Sequence, residues 1–234
     1  MKPAEFLAAG VLLFASGAGG HGSTAESKPI VALITKYQVK PAYRESFRKM
    51  ITGHITQALK TPGNIMAEAY EEQGHEDIVW TIERWKDAGS RVAISGAIHD
   101  ALAAPEEQIS VKDLEPLSKE EWRRKPDPKD HPFTAVLILK TKPGSEEEFK
   151  NIYHAAMPKF RGEAGVVTYQ LSQNQADESQ FITYEKFRSD DAFQFHLKFP
   201  PIEPVVRFLQ TSIQDPPFEQ GLHHLIELTS FNTK

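Results

Sequence analysis

The chain has 234 residues, of which 40% are hydrophobic, 10% aromatic and 25% charged, and its 27 Lys and Arg against 32 Asp and Glu give a formal charge of −5. That composition is globular, leaves room for two domains of common size, and excludes a disordered or fibrous chain. The acidic balance argues against nucleic acid or an anionic membrane as the main partner, and the absence of cysteine excludes disulfides, a thiolate nucleophile and a lipid anchor through sulfur.

At the start of the chain Lys2 precedes an apolar stretch from Phe6 to Ala18 that is too short for a membrane span. Gly17, Gly19, Gly20 and Gly22 break it, and Ser23-Thr24-Ala25 offers small residues at a cleavage point. Residues 1–25 therefore read as a signal peptide, which places the mature protein in the periplasm or outside the cell, free of the membrane once cut. Removal takes Lys2 and Glu5 together, so the charge stays at −5.

The remainder contains itself twice. Shifted by 102 residues, Lys40-Pro41-Ala42 with Phe47 falls on Lys142-Pro143-Gly144 with Phe149, Gly63 on Gly165, and Thr81-Ile82-Glu83-Arg84-Trp85 on Thr183-Tyr184-Glu185-Lys186-Phe187. Each unit opens with a strand, Ile30 to Tyr37 and Phe133 to Leu139, and the Lys-Pro turns the chain into a helix. Phe47, Met50, Ile51, His54, Ile55, Ala58 and Leu59 line one helix face, and Phe149, Ile152, Tyr153, Ala156, Met157 and Phe160 line its counterpart, where Pro158 predicts a kink or a restart.

After each glycine come two strands, Ile65 to Tyr70 with Ile78 to Trp85, and Val167 to Leu171 with Phe181 to Phe187. A second helix is predicted over Asp87 to Ala103 and over Asp190 to Phe199, stopped there by Pro200-Pro201. The last strands fall near Ile109 to Leu114 and Leu222 to Leu228. The units span 28–116 and 132–234, and the charged, proline-rich segment 117–131 reads as a solvated linker.

The order β-α-β-β-α-β makes each unit α+β and ferredoxin-like, with helices on one sheet face. The first strands are apolar on both sides, so both sheet faces need a cover. The sister unit is the natural one for the bare face, giving a dimeric α+β barrel inside one chain.

These residues resemble the antibiotic biosynthesis monooxygenase family, whose units form dimeric α+β barrels and which includes small quinol monooxygenases and haem-degrading enzymes. The second unit carries the clearer match: Lys142-Pro143-Gly144 with Phe149, Arg161-Gly162-Glu163-Ala164-Gly165 with Tyr169, Tyr184-Glu185-Lys186-Phe187, then His196. The first unit departs from it, with Ile94 at the place of His196 and Ala67 at that of Tyr169.

The resemblance implies oxidation of a phenolic, quinol or polyketide-like aromatic by molecular oxygen without metal or flavin, with His196 as the general base. Around it, Arg161, Tyr169, Tyr184 and Phe193 are candidates for binding the substrate. In the first unit His54, on the apolar helix face, and Trp85, which matches the tryptophan of the haem-degrading members, are further binding candidates, but Thr35 and Leu137 stand where those enzymes carry an asparagine, which disfavours haem cleavage. His223 and His224 are adjacent on a strand and point to opposite faces, so they form no metal site. A binding module that holds a small hydrophobic ligand without turnover is the alternative to an enzyme, and further pairing of two chains is left open.

Overall fold

A computed structural model describes residues 29–94 and 98–228. The segment read as a signal peptide, residues 1–25, lies outside the described residues. In chain order the first unit consists of β1 (Val31–Gln38), α1 (Arg44–Lys60), β2 (Asn64–Glu72), β3 (His75–Trp85), the one-turn α2 (Ile98–Ala101) and β4 (Glu107–Leu114). A short connector helix α3 (Lys119–Trp122) leads to the second unit. That unit consists of β5 (Phe133–Lys140), α4 (Glu146–Arg161), β6 (Val166–Asn174), β7 (Gln180–Phe187), α5 (Asp190–His196), α6 (Glu203–Thr211), α7 (Pro217–Gln220) and β8 (Leu222–Glu227).

Local chemistry sets these elements. Pro41 opens a 3-10 turn that runs into α1, where its fixed φ suits a first turn. Glu146, Glu147 and Glu148 face the positive end of the α4 dipole. Ser189 caps α5 by accepting from the backbone N–H of Ala192. Helix α4 runs through Pro158 without a restart, because the proline sits in the last turn and the Pro158 carbonyl still receives the Gly162 N–H. Gly63 has φ +92, and a Cβ there would meet Ser90 Oγ at 2.5 Å; its repeat mate Gly165 has Ala192 Cβ at 2.6 Å from the same imagined atom. Both glycines let the following helical turn close onto the sheet.

The eight strands close into an antiparallel barrel in the order β1-β3-β2-β8-β5-β7-β6-β4. Strand β4 pairs with β1 of its own unit and β6 of the other, while β8 pairs with β5 and β2. Each unit's last strand thus stitches it to its sister. The doubly apolar first strands are explained: Ala32, Ile34 and Val136 face the barrel interior with Trp80, Ile82 and Ile182, whereas Tyr37 and Leu137 face the helices.

Inside the barrel lies a polar layer. Lys186 Nζ meets Glu68 Oε1 at 2.8 Å, Tyr70 and Tyr184 hydroxyls both donate to Glu68, and Arg84 makes two bonds to Asp113 at 2.8 and 2.9 Å. Every partner is hydrogen-bonded, which is what makes such burial tolerable.

Three expectations are corrected. Among the described residues of Asp87 to Ala103, the expected helix is replaced by a 3-10 turn at Ala88–Ser90 and the single turn α2; Gly89, Val92 and Ile94 are poor helix formers, and the two last side chains pack on the first-unit core instead. The helix from Asp190 ends at His196, and a further helix, α6, follows Pro200-Pro201, burying Val205, Phe208 and Leu209. The connector is not simply solvated: Trp122 is 3% exposed, with Arg84 stacked 4.8 Å from its ring, and Arg123 donates to the carbonyls of Ile65 and Asn64. A large apolar surface outweighs the charges around it.

Candidate active site

Alternation along β7 decides which candidates can meet. Phe181, Thr183, Glu185 and Phe187 face the helices, and Ile182, Tyr184 and Lys186 face the barrel. Tyr184 is therefore separated from the other second-unit candidates by the sheet. It belongs to the interior network with Tyr70, 2.7 Å away between hydroxyls.

On the helix side, α5 ends at His196, which is 1% exposed and enclosed by the rings of Phe160, Tyr169 and Phe187 at centroid distances of 4.8, 5.4 and 5.2 Å. Its Nδ1 lies 2.7 Å from Glu163 Oε1. Burial takes the imidazole down to about 4 and, with the nearby charge of Glu185, pushes Glu163 up to about 7. Both shifts favour a neutral pair in which the carboxyl donates its proton to the ring nitrogen.

Glu185 is the second buried carboxyl of this face. Burial raises it to about 6, against the hydrogen bonds it accepts from Thr183 Oγ1 at 2.7 Å and from the Tyr169 hydroxyl. Tyr169 is in turn hydrogen-bonded to Tyr153 of α4, and burial holds both phenols above their ordinary value. Tyr153 reaches the wall of a cleft of about 350 Å³ between α4 and the β4–β6 edge, lined also by Leu114, Met157 and Leu171 with Lys112 and Lys150. Two buried phenols thus lead from the inner wall of this cleft to a buried carboxyl raised to about 6.

The other candidates have structural partners. Arg161 closes α4 onto the sheet, donating to the carbonyls of Tyr169 at 3.0 Å and Glu115 at 2.8 Å and to Gln170 Oε1 at 3.1 Å. Phe193 stacks on Phe133 at 4.3 Å. In the first unit His54 Nε2 meets Glu83 Oε1 at 3.1 Å, and Trp85 Nε1 donates to Glu83 Oε2 at 2.7 Å. With that nitrogen held by a carboxylate and the residue buried, His54 does not fit as an axial haem ligand. His223 and His224 do face apart, the first against Trp80 and the second against Phe133. Among the described residues no cluster of His, Asp and Glu has the arrangement of a metal site.

Glu83 and Glu185 occupy the same place in the two units, and the sequence reading passed over them. A signal was present: a carboxylate recurs at the same position of two strands, on the face that otherwise carries Thr81 and Trp85 or Thr183 and Phe187 toward the helices. Glu163 carries no comparable signal, because its burial depends on how α5 folds back over the α4 terminus.

The family profile of antibiotic biosynthesis monooxygenases matches residues 30–93 and 132–204, more than half of the chain and one segment in each unit. The chain belongs to that family. It carries the family's fold in tandem and is similar in fold to two solved candidate monooxygenases. One, from Lactobacillus acidophilus, is 14% identical, with 86% of this chain and 94% of that one covered at a TM-score of 0.68. The other, from Fusobacterium nucleatum, is 12% identical, with 87% and 94% covered at 0.71. An anthrone oxidase-like protein is 8% identical, with 86% and 98% covered at 0.57. At such identities the likeness is one of fold alone. An uncharacterized Synechocystis protein is 25% identical over 71 residues, which spans 30% of this chain and about half, 48%, of that relative.

Proposed function

We propose that the second unit is the working half of a cofactor-independent monooxygenase, and that its substrate is a phenol, quinol or polyketide-like aromatic held in the cleft beside Tyr153. Glu185 is the base in this reading, receiving the substrate proton through Tyr153 and Tyr169. The observation that carries it is the hydroxyl series from cleft wall to buried carboxyl. A base near neutral pKa suits proton abstraction at physiological pH. A cavity of about 350 Å³ is of ligand size.

The deprotonated aromatic is the reductant. Four electrons pass from substrate to oxygen; one oxygen atom enters the product as a carbonyl and the other leaves as water with the two hydrogens displaced. His196 is a poor proton acceptor at neutral pH, with its pKa near 4 and Nδ1 engaged by Glu163. Its part here is to hold a neutral, desolvated wall behind Tyr169.

Oxygen uptake against hydroquinones, catechols and anthrones tests the reading. Tyr153→Phe and Glu185→Gln should each keep the fold and lower uptake about 100-fold, the order that positioned proton transfer contributes. Full activity in both would overturn the assignment of the base. A loss confined to His196→Gln would return that role to the histidine.

A binding module without turnover is the second reading. A groove of about 910 Å³ between α4 and Pro200, Pro201 and Pro204 favours it, because it offers Ile152, Ala155 and Ala156 to an apolar ligand. Tight ligand binding with no oxygen uptake on any quinol would select it. The export proposed from residues 1–25 is checked by the N-terminus of material recovered outside the cytoplasm; an intact Met1 there would refute cleavage.

A further inference from the structure

The register of the barrel relates each residue of the first unit to one of the second, and the two last strands can be matched as well. Ile34 lies opposite Ile109, and Val136, its mate 102 residues on, lies opposite His223. Ile109 and His223 are therefore equivalents. By the repeat shift so are Lys36 and Ile138, Trp80 and Ile182, and Glu72 and Asn174.

Lys36, Trp80, Ile109, Ile138 and His223 gather at one barrel mouth, around a cleft of about 330 Å³ whose walls come from both units. Its two sides have diverged. One presents Lys36, Trp80 and His223, and the mates of all three are isoleucines, of which Ile109 and Ile138 line the opposite wall.

The polar side is built around one carboxylate. Glu72 accepts from Trp80 Nε1 at 3.0 Å through Oε2, and its Oε1 meets His223 Nδ1 at 3.0 Å. Burial raises this carboxyl, but the bonds from His223 and Trp80, with the Lys36 ammonium nearby, outweigh it and hold the group below its ordinary value. An ionised Glu72 fixes the histidine tautomer with the proton on Nδ1, which leaves Nε2 as the polar atom the ring can offer to a ligand. The imidazole lies 4.9 Å from the Trp80 ring, and the Lys36 ammonium sits 5.7 Å from the same indole. None of these groups takes part in the helix-side site, from which the sheet divides them.

We infer that this barrel mouth is a second ligand site, one that takes a small phenol with its ring between Trp80 and the isoleucine wall and its hydroxyl on His223 Nε2. Aromatic surface, aliphatic surface and one oriented acceptor are what a phenol requires. The asymmetry gives the ligand a single orientation, which two identical halves would not.

The test is calorimetric titration of the full chain with 4-nitrophenol, with absorbance recording the phenol's ionisation. His223→Phe removes the acceptor while keeping a ring against Trp80, Ile109→Trp fills the cleft, and Lys150→Glu alters only the helix-side cleft; melting curves check each fold. The expected result is a binding component that His223→Phe weakens about tenfold, the worth of one hydrogen bond, that Ile109→Trp abolishes and that Lys150→Glu leaves intact. A chain that binds no 4-nitrophenol overturns the inference. So does binding that both barrel-mouth variants leave unchanged, or binding that only Lys150→Glu removes.

Discussion

Burial, more than residue type, separates the histidines and glutamates of this chain. His196 was legible as a histidine of the right helix, but its enclosure by Phe160, Tyr169 and Phe187 was not, since those rings arrive from three elements. The enclosure makes a pH prediction. Folding depresses the pKa of His196 from its ordinary value to about 4, so the unfolded chain takes up a proton first as pH falls. Its contribution to stability is full above the unfolded value of about 6.5 and is lost as pH falls toward 4. Glu163 and Glu185, raised to about 7 and 6, act with the opposite sign and cost stability as pH rises through those values. His196→Phe should therefore show a smaller drop in melting temperature between pH 7 and pH 5 than the natural chain. An unchanged or larger drop would mean that the imidazole is already charged in the folded state.

Among the elements, those that repeat were readable and those that do not were misjudged. Both long helices, the six first strands and the two glycines recur at the 102-residue shift and stand where the pattern put them. The stretch from Asp87 to Ala103 has no faithful counterpart at that shift, and the helix expected there gives way to single turns among its described residues. The connector failed for another reason: charge and proline dominate it, and one tryptophan decides its position. Trp122 covers Arg84 and lies 6.1 Å from the Tyr184 ring, so it closes the polar interior of the barrel. Trp122→Ala should destabilise the chain by roughly 3–5 kcal/mol, the cost of deleting a buried large aromatic. Urea unfolding measures this; a loss under about 1 kcal/mol would show that the connector only rests on the barrel.

For the whole molecule, the doubly apolar first strands foretold that the units face each other, but not that β4 and β8 cross between them. The crossing makes the halves interdependent. Residues 29–118 alone would leave Ile34, Met66, Trp80 and Ile82 bare and the edges of β2 and β4 unpaired, a combination that drives association. The buried charges then choose the partner. In the intact barrel Lys186 of the second half meets Glu68 of the first. Two second halves would set Lys186 against Gln170, the repeat mate of Glu68, and lose the carboxylate that Glu68 supplies. Removing one member of a buried pair costs roughly 3–5 kcal/mol, and a symmetric pair of second halves incurs that loss twice. Co-expressed as separate chains, the halves should elute as a 1:1 complex, with the second half alone aggregating and the first half alone forming dimers. Light scattering after size exclusion decides the matter: a second half that is monomeric and melts sharply would show that neither the crossing strands nor the buried pair binds the barrel together.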